Sequence, residues 1–186
     1  LNASFVYSQF QFNYNDNINV KYLGVNLNMP WAGGLNFSQF SEIDFDFDGD
    51  MDLFIFDRSD NQIRVFLQEE LMGNKFYVFN PYASDKFPSE LRYRSALIDY
   101  NGDGKNDLFT YGIGGIKVYK NIGDAAQGLQ WQVAKELLYS DYWGSQLNLY
   151  VSSSDIPAIV DVDNDGDIDV LTYHIGGERL QYHKNI

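Results

Sequence analysis

Apolar and polar residues alternate over short stretches of this chain, and the stretches break at Gly, Asn and Asp. LFIF (53–56), LFTY (108–111) and VLTY (170–173) are aromatic or β-branched. So are IRVFLQ from Ile63, IKVYKN from Ile116 and KFYVFN over Lys75–Asn80. Side chains of these types fit a pleated, half-buried surface, so the pattern predicts strands. LQWQVAKELLY (Leu129–Tyr139) has a composition that a short helix would accept. Its Trp and Val, and its placement equivalent to KFYVFN, predict a strand instead. SDKFPSE and SDYWGSQ read as turn-rich connections to the next group of strands.

The runs recur as a unit. FSEIDFDFDGDMDLFIF (Phe40–Phe56), SALIDYNGDGKNDLFTY (Ser95–Tyr111) and PAIVDVDNDGDIDVLTY (Pro157–Tyr173) align without gaps. Their first aspartates, Asp44, Asp99 and Asp161, are spaced 55 and 62 residues apart. A turn follows each time, RSDNQ, GIGG or HIGGE, and then a second strand, which in the third copy is RLQYHKN from Arg179. In this alignment Val65, Val118 and Gln181 share one phase, and Phe66, Tyr119 and Tyr182 the other. Each unit has room for about four strands, the size of one propeller blade. The expected organisation is a single all-β domain over 1–186, with repeats at about 28–80, 81–140 and 141–186. Residues 1–27 form an N-terminal strand or a partial blade. LNASFVYSQF at the start reads equally as the end of a signal peptide or as an ordinary first strand.

Between the first two strands of each unit lies an acidic loop. Position 1 is Asp44, Asp99 or Asp161, position 3 is Asp46, Asn101 or Asp163, and position 5 is Asp48, Asp103 or Asp165. Position 6 is glycine each time and position 9 is Asp52, Asp107 or Asp169. Clustered carboxylates repel one another, and oxygen donors at alternating positions suit a hard cation that offsets the repulsion. Glycine at position 6 allows a sharp bend at positive φ. Past the bend, position 7 offers its main-chain carbonyl, which is why Asp50, Lys105 and Asp167 can all stand there. Position 9 closes the shell, with one carboxylate oxygen or both. A chain-encircling oxygen set favours calcium over magnesium, which keeps waters and demands octahedral geometry, and over zinc, which takes His or Cys. Manganese stays open. The competing reading is a solvated acidic turn that caps itself by local hydrogen bonds; threefold recurrence of one donor spacing weighs against it. Position 12 is Ile55, Thr110 or Thr172, and the flanks are strands, so an EF-hand, which needs Glu there and helices around it, does not fit. With Asn101 in place of a carboxylate, the second loop is expected to bind most weakly.

The D-x-[DN]-x-D-G-x-x-D loop between short strands, repeated about every 60 residues, resembles the FG-GAP or VCBS repeat family over roughly Phe40–Asn185. The resemblance implies blades of a calcium-binding β-propeller, as in integrin α-subunits and many secreted bacterial proteins. Carried over by position, it implies about three Ca²⁺ sites: Asp44, Asp46, Asp48 and Asp52; Asp99, Asn101, Asp103 and Asp107; and Asp161, Asp163, Asp165 and Asp169. Asp50, Lys105 and Asp167 would add main-chain oxygen. WAGGLNFSQFSEID from Trp31 is similar to the opening of such repeats in secreted bacterial proteins of the type IX secretion class. The implied location is secreted or cell-surface. Family propellers usually have seven blades and a closed ring needs at least four. Three loops therefore imply a partial propeller, completed by further blades of a longer chain or by partner chains.

Composition narrows the function. A net charge of −13 argues against nucleic acid or an anionic membrane as partner, and no apolar run is long enough to span a bilayer. Absence of cysteine excludes disulfides and thiolate metal sites, and His174 and His183 are the only histidines. Neither histidine stands in a catalytic motif, and surface or packing roles suit both. Glu42, Glu90, Glu136 and Glu178 are scattered, nearly every clustered carboxylate sits in the acidic loops, and no G-x-S-x-G, H-E-x-x-H or phosphate loop occurs. The expected function is a non-catalytic extracellular binding or adhesion module for a protein or glycan. Trp31, Tyr142 and Trp143 either contact the ligand or pack between blades. The alternatives are an accessory domain of a secreted polysaccharide-active enzyme, or a subunit of a larger cell-surface or secretion assembly.

Overall fold

The computed structural model describes residues 13–185. Leu1–Gln9, the signal-peptide or first-strand segment, lies outside them. Contacts divide the chain between Gly33 and Gly34 into two compact units. In the smaller one, β1 (Lys21–Tyr22) and β2 (Val25–Asn26) form a short antiparallel hairpin. There Trp31 donates its indole N–H to the Ile18 carbonyl at 2.9 Å.

The larger unit is all antiparallel sheet with one 3-10 turn, Ala83–Lys86, among its described residues. β3 (Ser38–Ile43), β4 (Asp52–Asp57), β5 (Gln62–Leu71) and β6 (Asn74–Asn80) make a four-stranded meander. β7 (Ser95–Ile98), β8 (Asp107–Gly112), β9 (Gly115–Asn121) and β10 (Trp131–Lys135) repeat it. A hairpin follows, β11 (Tyr139–Tyr142) and β12 (Ser145–Asn148). β13 (Ala158–Val160), β14 (Asp169–Tyr173) and β15 (Leu180–His183) form a three-stranded sheet. Among the described residues the sheets do not close into a barrel or ring.

Period-2 alternation places the cores. Ile43, Phe54, Phe56 and Val65 of the first sheet pack with Leu97, Leu108 and Tyr119 of the second, and with Phe87 beyond the 3-10 turn. The opposite face of the second sheet carries Phe109, Ile116 and Val118, which pack with Leu149, Val151 and Val170. β8 is thus buried on both faces, which explains why LFTY reads as a continuous apolar run rather than an alternation. Polar side chains tie the sheets edge to edge. Ser95 N–H donates to Gln39 Oε1 at 3.0 Å and Leu97 N–H to Ser41 Oγ at 3.1 Å. Arg94, only 3% exposed, donates to the carbonyls of Gly115, Val151, Ser152 and Asp155. Burial pulls its ionisation down to about 10, and the ring of carbonyls keeps the guanidinium hydrogen-bonded.

Two sequence expectations change. SDYWGSQ is not a plain connection: it is most of the β11–β12 hairpin. Its tip, Trp143–Gly144, has φ of 53° and 86°, the two positive values of a tight I′ turn. Met72–Gly73 and Leu23–Gly24 turn the β5–β6 and β1–β2 hairpins the same way. A large apolar residue stands where Asn or Asp is usual, so the turn chemistry was hidden. The second correction concerns register. Val118 pairs with Phe109, and Tyr182, not Gln181, pairs with the equivalent Leu171. The β14–β15 turn is two residues longer than the β8–β9 turn and matches the β4–β5 turn, whereas the sequence alignment allowed it one extra residue. Val65, Val118 and Tyr182 are equivalent, as are Phe66, Tyr119 and His183.

Candidate metal centres

Each acidic loop leaves the first strand of its sheet and returns as the second, so all three have the same frame. The position 6 glycines have φ of 93°, 84° and 97°, the bend their sequence position predicts. Their N–H groups donate to the position 1 carboxylate: Gly49 to Asp44 at 3.2 Å, Gly104 to Asp99 at 2.8 Å, Gly166 to Asp161 at 2.9 Å. The position 7 N–H donates to position 5 in every copy, at 2.8, 3.1 and 3.1 Å. Local bonds therefore curl the loop, but they use only part of each carboxylate's capacity of about four acceptor sites. The position 7 side chains of the first two loops bond outside the loop, Asp50 to Lys75 at 3.2 Å and Lys105 to the Gly123 carbonyl at 3.1 Å.

Position 9 has a role that sequence reasoning missed. Asp52, Asp107 and Asp169 are all buried. One oxygen accepts from the N–H of position 2, Phe45 at 2.8 Å, Tyr100 at 3.0 Å or Val162 at 3.1 Å. The other accepts from an N–H of the third strand, Gln68 at 2.7 Å or Asn121 at 2.7 Å, or from one just past it, Asn185 at 2.8 Å. The carboxylate clamps loop to sheet. With both oxygens engaged, one further contact to a cation is available more readily than a bidentate one. Burial raises the Asp52 and Asp107 carboxyls, against the pull of these N–H donors. At Asp169 burial also acts upward, but Asn185, Val162 and the Tyr182 hydroxyl outweigh it and hold the carboxyl below its ordinary value. Its sheet has no fourth strand among the described residues, so less protein surrounds it.

The loops diverge in the carboxylates they gather. Asp44, Asp46 and Asp48 bring an oxygen each within 4.8 Å of one another, as do Asp161, Asp163 and Asp169. Among the described residues the second loop forms no such group; there Asn101 donates its amide to Asp107 at 2.7 Å. In the first loop, Asp44 Oδ1 is buried without a hydrogen-bond partner. Burial raises the Asp46 carboxyl, with the nearby Asp48 and Asp44 charges adding to it. An orphaned oxygen among crowded carboxylates fits a hard divalent cation, which would supply the missing partner. The third loop is different: Lys184 bonds Asp163 and, at 2.9 Å, Asp165, and it holds the Asp165 carboxyl down.

The aromatic candidates also separate. Tyr142 is half-buried against the His183 ring at 5.8 Å, whereas Trp143 is 98% exposed. Burial lowers the His183 imidazole, and its Nδ1 meets Ser140 Oγ at 2.8 Å, which is a packing role. His174 meets Glu178 at 3.0 Å across its turn.

Three antiparallel sheets, each with a glycine-bent acidic loop between its first two strands, define a repeating β unit. Residues 99–172, from the first aspartate of the second loop into β14, match the model of the FG-GAP-like repeat, which is consistent with a repeat of FG-GAP type there. Comparison with curated proteins and with solved structures gave no match.

Proposed function

We infer that the chain is a non-catalytic, extracellular calcium-binding module of β-propeller type, with the ions structural and the exposed loops serving protein or glycan binding. Asp44 Oδ1 carries the reading: a buried carboxylate oxygen with no partner, among Asp46 and Asp48. The donors would be those assigned by position in all three loops, with the carbonyls of Asp50, Lys105 and Asp167. Bound calcium would supply only charge compensation there, and about three ions would bring the net charge from −13 to about −7. Extracellular modules of low affinity, roughly 10⁻⁴–10⁻³ M, suit a calcium-rich exterior. No helix among the described residues is long and apolar enough to cross a membrane.

A partner has two places to bind. A cleft of about 380 Å³ lies between the β11–β12 hairpin and the third sheet, lined by Tyr100, Tyr139, Asp141 and His183 among others. The Trp143 tip offers a ring face for stacking on a sugar or an apolar side chain. Further blades of a longer chain, or partner chains, would complete the ring. Isothermal titration with CaCl₂ and melting with and without chelator test the metal reading: no binding heat and an unchanged Tm would refute it. A glycan array probed with the intact chain and with Trp143→Ser tests the ligand reading, where equal signals for both would exclude the tip.

A further inference from the structure

The strand pairing places a lysine on the position 3 and position 5 donors of two of the three loops and not on those of the first. Lys184 stands directly before Asn185, whose N–H clamps Asp169, and Lys120 stands directly before Asn121, whose N–H clamps Asp107. Lys184 Nζ bonds Asp163 and reaches Asp165 at 2.9 Å. Lys120 Nζ reaches Asp103 at 3.2 Å and Asn101 Oδ1 at 3.4 Å. These are the position 3 and position 5 donors of the third and second loops. In the first sheet the same place, directly before Gln68, is held by Leu67, which packs against the core. Lys75 is nearby but pairs with Asp50 at position 7, whose side chain is not among the gathered carboxylates. The loop with no lysine on its position 3 and position 5 donors is also the one whose position 1 oxygen is unpartnered.

We propose that Lys120 and Lys184 are tethered counter-cations that compete with calcium for the second and third loops, so that the first loop fills at lower calcium than the other two. The proposal rests on the calcium reading above. A divalent ion entering the third loop must displace the ammonium from two of its donors or bind a few ångströms from it, and either raises the concentration needed. Partly exposed ion pairs are individually weak, so the lysines set a threshold and do not close the site. The carboxylate count alone ranks the first and third loops together; the lysine separates them.

Calcium titration of the intact chain by isothermal calorimetry tests this, with Lys184→Met, Lys120→Met and the double variant. Lys184→Met should tighten one weak site roughly tenfold, and the double variant should tighten two. Asp46→Asn should remove the tight phase and leave the weak ones. In chelator, Lys184→Met should lower the Tm, because the third loop loses the ammonium bonded to Asp163 and Asp165, and calcium should restore it. Unchanged affinities in all three lysine variants would overturn the proposal while leaving the calcium reading standing. If the unaltered chain binds no calcium at the second and third loops, binding that emerges in the double variant supports the proposal. Absence of binding at every loop, in the double variant too, overturns both readings.

Discussion

The first and third acidic loops share donor spacing, glycine bend and position 9 clamp, yet the structure treats their charge in opposite ways. At 44–52 the carboxylates face one another, Asp44 Oδ1 has no partner and the Asp46 carboxyl is raised. At 161–169 Lys184 neutralises Asp163 and Asp165, and the Asp165 carboxyl is lowered. Equal motifs therefore do not mean equal sites. What a motif leaves open is the residue that the neighbouring strand lays against it.

Calcium removal should break the comparison most strongly. An ion bound at 100 times its Kd contributes about 2.7 kcal/mol, so chelating three lowers the Tm by roughly 15 °C or more in a chain of this size. An unchanged Tm in a calorimetric scan would end the structural role. Next in size is the clamp, where the two loops should agree. Asp52→Ala strands the N–H groups of Phe45 and Gln68, for a loss of about 3 kcal/mol. Asp169→Ala should be comparably harmful. The deficit persists in chelator, as urea unfolding would measure, because the clamp is made to protein and not to metal.

A charge deletion separates the loops by sign. In chelator, Asp46→Asn relieves repulsion and raises the Tm slightly, while Asp163→Asn breaks the Lys184 pair and lowers it. Each shift is on the order of 1 kcal/mol or less. The pH dependence follows the same signs. Asp46, with its folded carboxyl raised, is a source of stability lost as pH climbs through the raised value, so the advantage of Asp46→Asn grows above about pH 4. Asp165, lowered, contributes stability that is present above about pH 4 and lost as pH falls, so the deficit of Asp165→Asn shrinks on acidification. Thermal melts from pH 3 to 7 in chelator would reveal both, and parallel curves would refute the contrast. Within the third loop, Asp165→Ala should abolish calcium binding and Asp167→Ala should barely alter it, as read from titration stoichiometry.

Smallest of all are the hairpin tips. Met72 and Trp143 are 93% and 98% exposed at left-handed φ. Asn tolerates that conformation, so Met72→Asn or Trp143→Asn should leave stability unchanged or raise it by about 1 kcal/mol. A clear loss of Tm would mean the tips are packed rather than presented.

Much of this was legible in the chain. The acidic loops span nine positions each, and spacing over so short a stretch is a local property: the glycine bend and the outward-bonded side chains of Asp50 and Lys105 follow from it. Strand-forming runs were legible for the same reason, since alternation and side-chain type act within a few residues. The β11–β12 hairpin was not, because Trp143 stands where turn chemistry favours Asn or Asp. Nor was the register of β15, because a longer turn before it slid Tyr182 into the place assigned to Gln181.

By itself, then, the sequence determined an all-β repeat with three glycine-bent acidic loops, because those features are set by neighbours along the chain. Only the tertiary structure decided that position 9 is a clamp, that Arg94 ties the second sheet to the β12–β13 connection, and that Lys184 and Lys120 reach their loops while Leu67 does not. Those contacts join residues of different strands or sheets, and their geometry depends on a register that alignment of the repeats alone misassigned by one residue.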